Sequence, residues 1–182
     1  LNYNLIYAAT AEEEISGKNG VELILPELGK IEFAIVGEPT QMHLAVAEKG
    51  LLVLDCIVKG KSGHAAREEG DNAIYKALKI INWVQTFQFP KISETLGSVK
   101  MSVTMIQAGT QHNVVPDACS FIVDIRTTDV YTNSEVLEII KQNVDCEISP
   151  RSMRLNSSSI DKNHFIIKAG IGLGRKTYGS PT

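Results

Sequence analysis

Between Leu51 and Ser149 the hydrophobic period changes in a fixed order, and that order limits the fold more than any single residue does. Leu51 to Lys59 reads as a strand carrying several apolar residues. Asn72 to Gln88 reads as an amphipathic helix, with Ile74, Ala77, Leu78, Ile81 and Val84 on one face at three-to-four spacing. Val99 to Gln107 alternates, with Val99, Met101, Val103 and Met105 on one side. Phe121, Val123 and Ile125 alternate with Ile122, Asp124 and Arg126 in a third strand. Asn133 to Asn143 is a second helix, with Val136, Ile139 and Ile140 inward and Asn133 as its N-cap. Asp145 to Ser149 closes the series as a short strand. The order β-α-β-β-α-β is the split-βαβ, or ferredoxin-like, arrangement.

The flanks follow a different rule. Leu5 to Ala9 and Phe33 to Val36 are short apolar runs that read as strands buried on both faces, as in a parallel sheet under helices. Between them Gly20 to Leu25 is a short helix candidate stopped by Pro26. Thr10-Ala11-Glu12-Glu13-Glu14 follows the first run and Gly37-Glu38-Pro39-Thr40 the second. Acidic residues therefore stand past the C-terminal ends of both expected strands, where open α/β sheets bind ligands. After Pro150 the chain turns polar and Ser-rich, and His164 to Gly174 reads as a helix running into glycines. Three pieces result: 1–47, an incomplete α/β domain; 48–150, a complete small α+β domain; and 151–182, a return segment. An insertion domain with its host domain cut at both ends fits this pattern, and the chain reads as an internal piece of a longer protein.

Composition excludes several classes. The 182 residues are 43% hydrophobic and 21% charged, which is ordinary globular usage and not that of disorder, collagen or coiled coil. Lys plus Arg is 18 and Asp plus Glu is 21, giving a net charge of −3 and arguing against a nucleic-acid surface. No apolar run approaches the roughly 20 residues of a membrane span. Leu1-Asn2-Tyr3-Asn4 has neither Met nor a basic stretch, so it does not read as a signal peptide. Cys56, Cys119 and Cys146 are odd in number, widely spaced and set among apolar residues. They read as small buried hydrophobes in a reducing cytoplasm, not as a thiolate metal site.

Three groups of residues could carry chemistry. Three adjacent carboxylates, Glu12 to Glu14, at a strand end repel one another and need a cation or raised pKa values, with Glu38 as a further carboxylate. Such carboxylates, with histidines, are zinc-type ligands, and one left unligated is a candidate general base. An acidic triplet is otherwise a solvated charge cluster. Gly60-Lys61-Ser62-Gly63-His64-Ala65-Ala66 lies between the first strand and first helix of the small domain; alone it is a glycine-rich turn with an exposed histidine. Asn113, in Gly109 to Pro116, offers an amide within a hairpin connection, and Arg126, in Asp124-Ile125-Arg126, offers a fork of donors suited to a carboxylate.

Taken in order, Thr10-Ala11-Glu12-Glu13-Glu14, Val36-Gly37-Glu38-Pro39-Thr40, Gly63-His64-Ala65 with Asp71-Asn72-Ala73-Ile74, and Asn113-Val114-Val115-Pro116 with Asp124-Ile125-Arg126 resemble the dinuclear-zinc amidohydrolase family. Each motif is weak; the ordered combination over the whole chain is specific. The fuller wording, Ala45-Val46-Ala47-Glu48-Lys49-Gly50-Leu51, Gly63-His64-Ala65-Ala66-Arg67 and Arg154-Leu155-Asn156-Ser157-Ser158, looks most like the acetylornithine deacetylases, whose relatives also take N-succinylornithine or N-acetylcitrulline. The resemblance implies an α/β zinc-peptidase domain with an inserted ferredoxin-like lid through which a homodimer forms. It implies two zinc ions per site, with cobalt or manganese as alternatives, and a small N-acyl amino acid as substrate, in arginine biosynthesis. Glu13 then matches the general base, and Glu14 and Glu38 the metal ligands. Glu12 sits beside the metal site. His64 matches the lid histidine that reaches the partner subunit's site and stabilises the oxyanion. Asn113 and Arg126 match the lid residues that hold the substrate carboxylate.

The family's upstream His-x-Asp, bridging Asp and late histidine have no counterpart in this sequence, since His112 falls in a lid turn and His164 at a helix start. The expectation is therefore an incomplete, inactive piece of the enzyme. Two alternatives stand beside it: a lid and dimerisation module without chemistry of its own, and a di-zinc dipeptidase of the same family.

Overall fold

The computed structural model describes residues 4–12 and 17–180. The chain divides into two compact units between Pro39 and Thr40.

The second unit contains the expected series. Strand β2 (Gly50–Lys59), helix α2 (Ala73–Thr86), strands β4 (Lys100–Ala108) and β6 (Ala118–Thr127), helix α3 (Asn133–Asn143) and strand β7 (Glu147–Pro150) follow the β-α-β-β-α-β order. The four strands form one antiparallel sheet in the order β4-β6-β2-β7. Alternation in the two central strands builds its core. The register sets Leu52 opposite Ile125, Leu54 opposite Val123, Cys56 opposite Phe121 and Val58 opposite Cys119. All eight are buried, and they meet Ala73, Ala77, Ile80 and Val84 of α2 and Val136 and Ile140 of α3. Period-two side chains on a sheet and period-3.6 side chains on its helices thus close one hydrophobic layer.

Local capping fixes the helix starts. The Asn72 side chain accepts from the Ile74 N–H at 2.9 Å. In α3 the cap is Thr132, not Asn133 as the sequence predicts: Thr132 and Glu135 form a reciprocal capping box. Asn133 is instead buried, and its side chain joins three segments. Its Oδ1 accepts from the Thr127 hydroxyl at 2.7 Å, and its Nδ2 donates to the Leu155 carbonyl at 3.0 Å and the Leu51 carbonyl at 3.3 Å.

Two further expectations change. The α2 face is rotated, so that Ile80 is buried and Leu78 is 52% exposed. In β4 a bulge between Val103 and Met105 shifts the register, placing Met105 opposite Ile122 on the outer face of the sheet. An extra residue in one strand reverses the alternation beyond it, so Met105 is exposed.

The same unit holds a second, three-stranded sheet that the sequence pattern does not announce. Strand β1 (Leu44–Glu48), immediately before β2, is flanked by β8 (Ser158–Ser159) and β9 (Thr177–Ser180). Helix α4 (Phe165–Gly172) connects the last two, close to its expected position. Segments before and after the four-stranded layer therefore share one sheet. Cys56 and Cys119 are buried and Cys146 half-buried, all as free thiols.

The first unit departs most from expectation. Residues 4–10 and 33–36 form no strand. Leu5 and Tyr7 are 89% and 91% exposed, and Ile35 and Val36 are each 77% exposed. A strand exists only as a partner in a ladder, and the described residues supply no neighbour for either run. The regular structure here is helix α1 (Val21–Ile24), which ends ahead of Pro26 as expected, and a 3₁₀ turn over Leu25–Glu27 that takes Pro26 into its first positions. Among the described residues no helix is long and apolar enough to cross a membrane.

Candidate functional site

The chain between β2 and α2 is held tightly before it reaches His64. Gly60 donates its N–H to the Asp117 carbonyl at 2.7 Å, and a Cβ at Gly60 would lie 2.1 Å from the Asp71 carbonyl oxygen. Only glycine permits that approach. Lys61 and Asp71 then exchange backbone hydrogen bonds at 2.8 and 2.9 Å, pinching the loop at its base.

Above the pinch, strand β3 (Gly63–His64) pairs antiparallel with β5 (Val114–Val115), with Gly63 opposite Val115 and His64 opposite Val114. The Ala65 N–H donates to the Asn113 carbonyl at 2.9 Å. Two of the predicted site residues, His64 and Asn113, are therefore brought together by one short ladder. The His64 ring is exposed, and its Nδ1 accepts from the Ala66 N–H at 3.2 Å. An Nδ1 that accepts assigns the proton of the neutral ring to Nε2, leaving Nε2–H as an outward donor. The half-buried Asn113 amide likewise has no side-chain partner among the described residues. The register sets Asn113 opposite Ala65, one position from His64, so the ladder brings their backbones together; a neutral Nε2–H suits a developing oxyanion or a carbonyl oxygen.

Arg126 lies elsewhere. It sits near the end of β6, opposite Leu51 of β2 and Lys100 of β4. Roughly 27 Å of strand, at about 3.4 Å per residue, separates it from Ala118, where β6 begins just after the β3–β5 ladder. Its guanidinium donates to Asp124 through Nε at 2.8 Å and Nη2 at 3.2 Å. In one chain, then, Arg126 and the His64–Asn113 pair occupy opposite ends of the same layer. A partner for Arg126 was readable in the sequence, since Asp124 precedes it by two positions and so shares its face.

The carboxylates of the first unit are only partly described. Glu13 and Glu14 lie outside the described residues. Glu38 is exposed in an irregular segment. Glu12, at φ 60°, accepts from the Asn19 side-chain amide and backbone N–H, both at 3.0 Å, and these donors hold its carboxyl below the usual range. Among the described residues no group of three or more His, Cys, Asp or Glu could hold a metal ion. The described donors thus do not make a metal site by themselves. A hollow of about 740 Å³ opens between α2 and the α3–β7 connection, beside Lys79, Trp83 and Cys146, and none of the predicted site residues lines it.

Residues 46–150 match the family model of the peptidase dimerisation domain of the M20 peptidases. The chain belongs to the M20 peptidase dimerisation-domain family. This M20 chain is 32% identical over 148 residues to the acetylornithine deacetylase of Myxococcus xanthus, covering 76% of this chain and 39% of that protein. It is 26% identical over 155 residues to the succinyl-diaminopimelate desuccinylase of Orientia tsutsugamushi strain Boryong, covering 79% of this chain and 40% of that protein. It spans about two fifths of the length of these curated relatives. Among solved structures, aminopeptidase PepT from Bacillus cereus superposes with a TM-score of 0.71 at 18% identity, over 95% of this chain and 49% of that one. An M20 family metallo-carboxypeptidase from Sulfolobus solfataricus superposes with a TM-score of 0.60 at 14% identity, over 81% and 55%. The fold is thus that of M20 peptidases: mixed α/β, with a ferredoxin-like lid.

Proposed function

We propose that the protein to which this chain belongs is a metal-dependent amidohydrolase that removes the acyl group from a small N-acyl amino acid. N-acetylornithine is the favoured substrate and arginine biosynthesis in the cytoplasm the favoured setting. The likeness to the Myxococcus xanthus acetylornithine deacetylase supports the substrate. The observation that supports the reading is the β3–β5 ladder, which holds the His64 turn against the Asn113 segment and leaves the His64 Nε2 without a hydrogen-bond partner among the described residues.

In this reading 1–47 and 151–182 belong to the hydrolytic domain and 48–150 to the lid. β1 joining β8 and β9 supports that division. Glu13 takes a proton from the attacking water and returns it to the leaving amine. The carbonyl oxygen gains charge in the tetrahedral state, and the His64 Nε2–H stabilises it from the partner subunit of a homodimer. Asn113 orients the substrate beside it, and Arg126 receives the amino-acid carboxylate. Glu14 and Glu38 are the proposed metal ligands, to be completed by donors that this chain does not carry. Two zinc ions are the preferred occupants, with cobalt or manganese as substitutes.

The test is hydrolysis of N-acetylornithine, N-succinylornithine and N-acetylcitrulline by the full reading frame, with the 182-residue chain alongside. Activity in the long form that Glu13→Gln abolishes establishes a deacylase, and the preferred substrate names it. No turnover on any of the three overturns the deacylase reading. A second reading, a lid and dimerisation module without its own chemistry, is favoured by the isolation of Glu38 among the described residues. Inactivity together with the absence of tightly bound zinc in the full reading frame would support it. Hydrolysis of dipeptides instead would identify a dipeptidase of the same family.

A further inference from the structure

We propose that Asp124 is a positioning residue, which locks the Arg126 guanidinium so that its outer edge stands as a fixed fork for the substrate carboxylate. The proposal rests on the reading of Arg126 given above and adds the group that would make it work.

Asp124 and Arg126 are two positions apart on β6 and share the outer face of the sheet, away from α2 and α3. Their contact is two-pronged: Nε to Oδ1 at 2.8 Å and Nη2 to Oδ2 at 3.2 Å. It uses the inner edge of the guanidinium. Of the five guanidinium donors, both on Nη1 and one on Nη2 remain. They lie along the outer edge, which matches a second carboxylate in the same plane. Arg126 makes no other hydrogen bond among the described residues, and its side chain is 30% exposed.

A comparison within the molecule separates this pair from an ordinary ion pair. Asp55 and Arg151 are also joined by two bonds, both 2.8 Å, but they tie β2 to the residue after β7. Asp124 and Arg126 lie on one strand and tie nothing together. A partly buried pair within one strand contributes little to holding segments together. What it does change is the freedom of the Arg126 side chain, which would otherwise sample many rotamers before meeting a ligand.

The charge around the pair agrees. Lys100 stands directly opposite Arg126 on the same face, a like-charge pairing that strands normally avoid. Asp124 neutralises one of the two cations and leaves the patch positive. A ligand carboxylate on the outer edge of Arg126 completes the balance.

The experiment compares Asp124→Asn, Asp124→Ala and Arg126→Ala in the full reading frame, on N-acetylornithine and on the same N-acyl diamine without its carboxylate. A disordered fork weakens ground-state and transition-state binding together, so Asp124→Ala should raise KM about tenfold and leave kcat within about twofold. The effect should vanish in the Arg126→Ala background and on the carboxylate-free substrate. A general structural defect would persist in both. If Arg126→Ala raises KM and Asp124→Ala does not, the positioning role is wrong. If Arg126→Ala leaves KM unchanged, or the full reading frame hydrolyses neither compound, the reading of Arg126 is wrong instead. The lock is then decided on the 182-residue chain by its arginine Nε–H resonances. Wild type should show, apart from the signal of Arg151 bound to Asp55, a slowly exchanging signal that both Asp124→Ala and Arg126→Ala remove. Its persistence in Asp124→Ala overturns the lock.

Discussion

In β2, Leu52 and Leu54 are fully shielded from solvent, whereas Leu5, Tyr7, Ile35 and Val36 in residues 4–39 are each more than three-quarters exposed. The two sets are equally apolar in sequence. What separates them is the supply of partners. β2 has β6 on one side, β7 on the other, and α2 against its inner face. The runs at 5–9 and 33–36 have no ladder neighbour among the described residues. Hydrophobicity marks a segment for burial, but the ladder and the covering layer decide whether burial happens.

The largest expected effect tests that contrast directly. Phe121→Ala removes a fully packed ring from the middle of the layer and should destabilise the 182-residue chain by about 3–5 kcal/mol in denaturant unfolding. Ile35→Ala should stay within about 0.5 kcal/mol, because its side chain is already in water. Equal losses at both positions would show that residues 4–39 pack in solution as the layer does.

Next in size is Gly60→Ala, expected to cost about 1–3 kcal/mol because its Cβ would strike the Asp71 carbonyl oxygen. It should also disturb the amide signals of His64 and Asn113, since the loop base sets their ladder. Unchanged signals would mean that the ladder holds without the pinch. Asn133→Ala comes close behind. It removes the acceptor of the Thr127 hydroxyl and one of the two donors to the Leu155 carbonyl, and should cost about 1–3 kcal/mol. If Asn133 indeed joins the layer to the 151–160 segment, protease should cut that segment faster in the variant. Equal cleavage would confine Asn133 to the layer itself.

How much of this was legible in the sequence follows from the same contrast. β2 and β6 alternate cleanly because one face of each is buried, so their identity and inward residues were readable. Met105 was misplaced because a bulge adds one residue without any change in composition, and Leu78 because a helix face can rotate by one position and remain apolar. β1, β8 and β9 were missed because two- to five-residue strands owe their existence to distant partners. At the candidate site the sequence shows the His64 and Asn113 turns separately, because the adjacency of their backbones belongs to a ladder linking positions some fifty residues apart. Asp124 was visible as a charge, and its bond to Arg126 needed only the period-two rule. The roles of Glu13 and Glu14 rest on the sequence alone, since both lie outside the described residues.

The smallest effect concerns the start of α3, where Thr132 and Glu135 cap each other. Thr132→Ala should cost about 1 kcal/mol. The Glu135 carboxylate accepts from the Thr132 N–H at 2.7 Å and from its hydroxyl at 3.0 Å. Those donors, first the backbone one, hold its carboxyl below the ordinary value of 4.5. A depressed folded-state value means that the unfolded chain binds the proton first as pH falls. The stabilisation is therefore complete above 4.5 and is lost as pH drops through the folded value. Glu135→Gln removes the charge at every pH, so the stability difference between it and wild type should be constant near neutrality and close towards pH 3. Ile35→Ala, placed where no cap or ladder exists, should show no such closure. A Glu135→Gln difference that persists unchanged into acid would assign the cap to hydrogen-bond geometry and remove charge from it.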